Sequence, residues 1–201
     1  MQNCFVRPRL VIALFFSLML SACGYNEFQR LDEQTKADAK DLLNQYKRRD
    51  DLLPNLVATV QGEASFEKDT LTKVIEARAK ASSIQVTPET LSNPETLKKF
   101  QSAQGELGGA LSRLMVVFER YPTLKANQGF SDLRVQLEGT ENRIALATNR
   151  YIKSVQNYNV LVRSFPSNLT AMAMGYKTKE GFTVDNEADI KKAPRINFGN
   201  Q

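Results

Sequence analysis

The chain predicts an all-α protein: a bundle of about four long antiparallel helices followed by an irregular C-terminal tail. Two stripes carry this reading. From Phe130 to Phe165, apolar or small residues recur at Phe130, Leu133, Leu137, Thr140, Ile144, Ala147, Tyr151, Tyr158, Leu161 and Phe165. The steps alternate between three and four, with Ser154 holding the seam beside Val155. Leu97, Phe100, Gln104, Leu107, Leu111, Leu114, Phe118 and Tyr121 alternate in the same way. Such stripes need helices whose seams face other helices. A third observation is the short connection between the two, which makes neighbours antiparallel. At 1.5 Å per residue, the longer stripe needs a helix of roughly 50 Å.

Length and composition agree with one globular domain. The 201 residues can bury a real core, and 42% hydrophobic with 24% charged residues is ordinary for a globular chain. The net charge of +5 includes Arg7 and Arg9 in the N-terminal segment. Without residues 1–22 the balance is 25 basic against 22 acidic residues, or +3. That is too weak to indicate nucleic acid as a partner.

Residues 1–9 are basic and free of acid, and the eleven-residue run LVIALFFSLML follows from Leu10 to Leu20. A basic start, a short apolar stretch and small residues after it describe a secretory signal peptide over residues 1–22. A spanning helix needs about 20 apolar residues, so a signal anchor is the weaker reading. Leu20-Ser21-Ala22-Cys23 resembles the bacterial lipobox. That resemblance implies a diacylglyceryl thioether on Cys23 and cleavage just before it. An ordinary signal peptide with an incidental Cys is the alternative. Gly24, rather than Asp, follows the Cys, which resembles the pattern sent on to the outer membrane. Cys4 would leave with the signal and Cys23 would be capped, so no thiol remains for a disulfide.

Residues 23–45 read as an N-terminal lipid-anchored stalk helix, because DEQTKADAKD between Leu31 and Leu42 is mostly polar. Residues 46–201 then form the bundle, with the tail from about 167. Pro54 disfavours helix at Leu53, so the first helix is expected to kink or restart there. The second would run from Pro54 to about Ala81 along Leu53, Val57, Val60, Ala64, Glu67, Leu71, Val74, Arg78 and Ala81. Ser82–Asn93 is a loop, and Ser92 or Asn93 can cap a third helix that has Pro94 in its first turn. Gly105, Gly108 and Gly109 inside that helix imply close approach of a neighbour or a kink. Tyr121-Pro122 ends it. Beyond Phe165-Pro166 the stripe is lost, and Tyr176, Phe182, Ile190, Ile196 and Phe198 are spaced anchors for a partly ordered tail.

Little in the chain points to catalysis. There is no His, which removes most hydrolase dyads and the commonest metal ligand. No G-x-S-x-G, P-loop or dinucleotide fingerprint occurs. We expect neither a cofactor nor a metal, and no enzyme activity. Asn168-Leu169-Thr170 matches a glycosylation triplet by chance. The charged seam residues Glu67 and Arg78, with Glu141 and Arg143 flanking the opposite seam, form a polar cluster of either structural or recognition character. A ladder of salt bridges, with Arg78 reaching Glu141, is the preferred reading, because buried charges must be paired. Arg48-Arg49-Asp50-Asp51 reads as a solvated helix end.

RRDDLLPNLVATVQGEA (Arg48–Ala64), TLTKVIEARAKA (Thr70–Ala81), ERYPTLKANQGF (Glu119–Phe130), LEGTENRIALATNRYIKSVQNYN (Leu137–Asn159) and RSFPSNLTA (Arg163–Ala171) resemble the LemA family. The resemblance covers nearly all of Gln45–Phe198. It implies long antiparallel helices, export, and an N-terminal tether, with no activity established at family level. It also implies an envelope metalloprotease as one partner, on gene neighbourhood alone. Many members begin with a transmembrane helix where this chain has a lipobox. Members often carry His just before the residue matching Glu67, where this chain has Phe66. The expectation is therefore a lipid-anchored helical scaffold or adaptor facing the periplasm, held to the membrane through Cys23 and binding an envelope protein or cell-wall component. A carboxylate-dependent wall hydrolase, or a binder of a small amphiphile near Gly105–Gly109, are the alternatives.

Overall fold

A computed structural model describes the backbone of residues 8–63 and 66–182, and within them the side chains from Gly24 onward. The described residues form helices α1 (Pro8–Gln61), α2 (Lys68–Ser83), α3 (Pro94–Phe118), α4 (Pro122–Lys125), α5 (Gln128–Arg163) and α6 (Ser167–Met174), plus a 3-10 turn at Thr90–Ser92. No strand occurs among them.

The four long helices run up, down, up and down. Phe28 lies by Tyr158, Asp41 by Arg150 and Arg49 by Glu141, so α1 and α5 are antiparallel. Lys80 meets Glu106 and Glu67 meets Arg120, so α2 and α3 are antiparallel as well. Tyr46 packs on Phe100 and Arg49 on Gln104, which sets α1 and α3 parallel.

The α5 seam is as the stripe predicts. Phe130, Leu137, Thr140, Ile144, Ala147, Tyr151, Ser154, Val155 and Tyr158 are buried. Phe165 is the departure: the helix ends at Arg163 and the ring is 79% exposed. Asn127 starts α5 by accepting from the Phe130 amide at 3.0 Å. Asn93 does the same for α3, from Glu95 and Thr96 at 3.0 and 3.1 Å. These caps satisfy amides that a helix start leaves without partners.

Pro54 does not break the first helix. Ala39, Leu42, Tyr46, Arg49, Leu53, Leu56 and Val60 alternate in steps of three and four straight through it, and Pro54 sits on the exposed face. The ring removes one helical hydrogen bond on the solvent side, while the buried stripe stays intact. Helix α1 ends at Gln61 instead and α2 starts at Lys68, so α2 is shorter than expected. Ala64 lies outside the described residues.

The segment expected to be a solvated stalk is packed. Phe28, Leu31, Thr35, Ala39 and Leu42 are all buried. Small side chains at Thr35 and Ala39 carry the stripe through the polar stretch, and the Thr35 hydroxyl donates to the Leu31 carbonyl at 2.8 Å. The tail closes this end. Tyr176 stacks on Phe28 at 4.8 Å, the Lys179 ammonium lies 4.9 Å from the Tyr158 ring, and Phe182 meets Tyr151 edge-on at 5.8 Å. Ile190, Ile196 and Phe198 lie outside the described residues.

Candidate functional site

The four residues of the expected polar cluster each have different partners. Glu67 precedes α2 rather than occupying a seam, and its side chain is 41% exposed. Its carboxylate accepts from the Thr70 hydroxyl at 3.1 Å and from Arg120 Nη2 at 2.7 Å. The Thr70 hydroxyl and then the Arg120 guanidinium hold it below the usual carboxylate range. Arg143 is exposed and donates to its helix neighbour Thr140 at 3.2 Å. Arg78 does not reach Glu141. It grips Asp50 through Nε at 2.9 Å and Nη2 at 3.3 Å, a two-pronged geometry suited to Arg. Ser82 donates to the same carboxylate at 2.9 Å.

The partner of Glu141 is Arg49, at 2.9 Å. Arg49 is only 3% exposed. Its Nη2 donates to the Gln104 carbonyl at 3.3 Å and also to the Gln104 side-chain oxygen. Its guanidinium lies 5.2 Å from the centre of the Tyr46 ring, which is held above its ordinary pKa mainly by burial. Gly108 sits beside it: a Cβ there would stand 4.0 Å from Arg49 Nη1. One side chain thus ties α1 to α3 and α5, while its neighbour Asp50 ties α1 to α2.

The Arg48–Asp51 run is therefore the bracing point of the bundle, not a solvated end. Adjacent helical residues point about 100° apart, and here that divergence sends Arg49 and Asp50 to different neighbours. The signal was present in the sequence. Arg49 falls on the α1 stripe between Tyr46 and Leu53, and is legible once the stripe is carried through Pro54.

Two open clefts flank this brace. One, of about 600 Å³, lies between α3 and α5 and is lined by Gly108, Leu111, Met115, Leu137, Glu138 and the brace residue Glu141, among others. The other, of about 450 Å³, lies between α2 and α3 with Lys73, Glu76, Lys80, Glu106 and Arg113 on its walls. Gly109 borders the second cleft, and both Gly105 and Gly109 face open space rather than a close helix. Only Gly108 has the near neighbour that the glycines imply.

Cys23 lies on α1, and its side chain is outside the described residues. None of the described helices is long and apolar enough to cross a membrane.

Comparison with known proteins places this architecture. A magnetosome protein MamQ of Paramagnetospirillum magneticum is 29% identical over 189 residues, covering 86% of this chain and 68% of that protein. MamQ of Magnetospirillum gryphiswaldense is 28% identical over 188 residues, covering 86% and 69%. Protein LemA of Metamycoplasma hominis is 29% identical over 161 residues, covering 80% and 65%. The model of the LemA family matches residues 38–198, from the middle of α1 through the brace and all of α5 into the tail, and the chain belongs to that family.

Proposed function

We propose that the chain is a membrane-associated envelope protein, anchored by lipid on Cys23, whose helical domain faces the periplasm as a scaffold or adaptor. The observation that carries the scaffold reading is the fate of its charges. Arg49, Glu141, Asp50, Arg78, Glu67 and Arg120 are each held by one another or by Gln104, Ser82 and Thr70. They hold helices in register, and Glu141, which also lines the cleft between α3 and α5, is tied there to Arg49. Membership of the LemA family and the magnetosome relatives support membrane association. The Leu20–Cys23 sequence supports the lipid, and Gly24 after it supports the outer membrane. Two or more acyl chains anchor stably where one gives only marginal binding, at about 0.8 kcal/mol per buried CH₂. The partner is an envelope protein, such as an envelope metalloprotease, or a cell-wall component, bound on an exposed face of the long helices.

Metabolic labelling with an alkyne fatty acid tests the anchor: the wild-type chain labels and Cys23→Ala does not. A mutant that still labels, or a mature chain that keeps residues 1–22, removes the lipid reading. Crosslinking in cells from the exposed faces of α3 and α5 identifies the partner. Cleavage of peptidoglycan by the purified protein, lost on replacing a single carboxylate, would put a wall hydrolase in its place.

A further inference from the structure

Large apolar side chains exposed on the long helices are scattered: Ile75, Val116, Val135 and Leu146 stand apart along them. Around α6 they gather. Phe165 is 79% exposed, Leu169 57%, Met172 78% and Met174 53%. Leu169 and Met172 are three apart on α6 and share one side of it, and Phe165 stands exposed in the turn just before the helix. From Phe165 to Tyr176 no residue is charged, in a chain that is 24% charged. The face is also fixed in place. Ala171 is buried in the cluster of Phe28, Leu31 and Tyr158, and the Tyr176 amide donates to the Ala171 carbonyl at 2.9 Å. A contiguous exposed apolar face of this kind marks an interaction surface.

The chain itself indicates what covers it. Gly24, one residue beyond Cys23, lies against α6: a Cβ on Gly24 would stand 3.4 Å from the Thr170 hydroxyl. The point where the chain leaves for the membrane, by lipid on Cys23 or by the apolar run Leu10–Leu20, is thus the place where the apolar face sits. Arg163 and Lys177 bracket the uncharged stretch, and both are exposed. Basic groups beside an apolar face suit anionic headgroups beside acyl chains.

We propose that α6 docks on the bilayer that holds the N-terminus. Phe165, Leu169 and Met172 enter the boundary between headgroups and acyl chains, and Arg163 and Lys177 meet lipid phosphates. The inference rests on the reading above in one respect, that the chain is held at a membrane through its N-terminal segment. The tether and the face are then two signals acting at one place, and together they fix the orientation of the domain as a tether alone cannot.

The absence of Trp from the chain makes a clean test. Met172→Trp places a sole indole on the face, and Val135→Trp, 60% exposed at baseline near the start of α5, is the comparator. The full-length chain, made in cells so that processing occurs, is reconstituted into phosphatidylethanolamine–phosphatidylglycerol vesicles with and without brominated acyl chains. The expected result is a blue shift for Met172→Trp on reconstitution and loss of its emission in brominated vesicles, with Val135→Trp unchanged between them. An unquenched Met172→Trp in vesicles that retain the chain overturns the docking and leaves the anchor standing, the face then being covered by this chain's own tail or a second copy. Quenching in a chain without the fatty-acid label upholds the docking and removes the lipid on Cys23. A chain that vesicles do not retain overturns both.

Discussion

One half of the molecule is enclosed by four helices and the other by two. Between Tyr46 and Val60, α1 is flanked by α2, α3 and α5, and the core there holds Leu53, Leu56, Val74, Leu107, Leu114 and Phe130. Between Phe28 and Thr35, α1 has only α5 beside it among the long helices, and α6 with the chain after it supplies the missing wall. The first half is held by apolar interdigitation and the Arg49 brace. The second is held by aromatic contacts and a clasp, in which Lys179 pairs with Asp32 at 2.8 Å and Asn159 exchanges hydrogen bonds with the Lys179 backbone at 2.7 and 2.8 Å. An arm of two long helices walled by α6 and irregular chain is enclosed by fewer elements, and it is expected to open before the four-helix half.

The largest test of that difference is Phe28→Ala. Truncating this fully buried ring costs about 3–5 kcal/mol, and the loss should stay in the arm. Hydrogen exchange is expected to speed up over residues 24–36 and 155–182, with protection in α2 and α3 unchanged. If all helices lose protection together, the halves are one cooperative unit. A smaller effect is expected at the brace. Arg49→Met and Glu141→Gln should each cost about 1–3 kcal/mol by stranding a hydrogen-bonded partner, and should couple by about 0.5–3 kcal/mol in a double-mutant cycle followed by urea unfolding. The pair Arg78 and Asp50, in which neither side chain is buried as Arg49 is, should couple by no more than about 1 kcal/mol in the same assay. Equal coupling in both cycles would mean that burial of Arg49 does not matter.

The smallest effect concerns the clasp and depends on pH. Partial burial pushes the Asp32 carboxyl up, but hydrogen bonds from Lys179 and Lys36 outweigh it and leave it below the usual aspartate range. A depressed value in the folded state means that the stabilisation is full above the unfolded value and is lost as pH falls through the folded one. Asp32→Asn should therefore lower Tm by about 1–2 °C at neutral pH. The gap from wild type should close below the ordinary aspartate range of about 4. A gap that persists in acid would assign the loss to packing rather than charge.

The two halves also differ in how legibly the sequence encodes them. The α5 seam could be read because large residues mark nearly every step, and Asn93 and Asn127 sit where helix starts need them. The arm was hidden because Thr35 and Ala39 fill its interface, and both look unremarkable within a charged run. Pro54 misled for a related reason: a breaker's cost depends on which face it occupies, and a local signal does not show the face. The polar pairs were least legible. Arg78 meets Asp50 because α1 continues past Pro54 and brings Asp50 opposite α2, a fact of tertiary geometry. The residue type announced that Arg78 needs a carboxylate, but not which one.

The continuity of α1 through Pro54 has a mechanical consequence. At 1.5 Å per residue, the helix from Gly24 to Gln61 is a ruler of about 55 Å, stiffened along its length by α5. With its lower end at a bilayer surface, the C-terminal end of α1 at Gln61 and the short helix α4 would stand at a set height above the headgroups. Altitude then becomes a property of the fold. Insertion of seven residues on the α1 seam, matched on α5, would raise that summit by about 10 Å while keeping every buried stripe in phase.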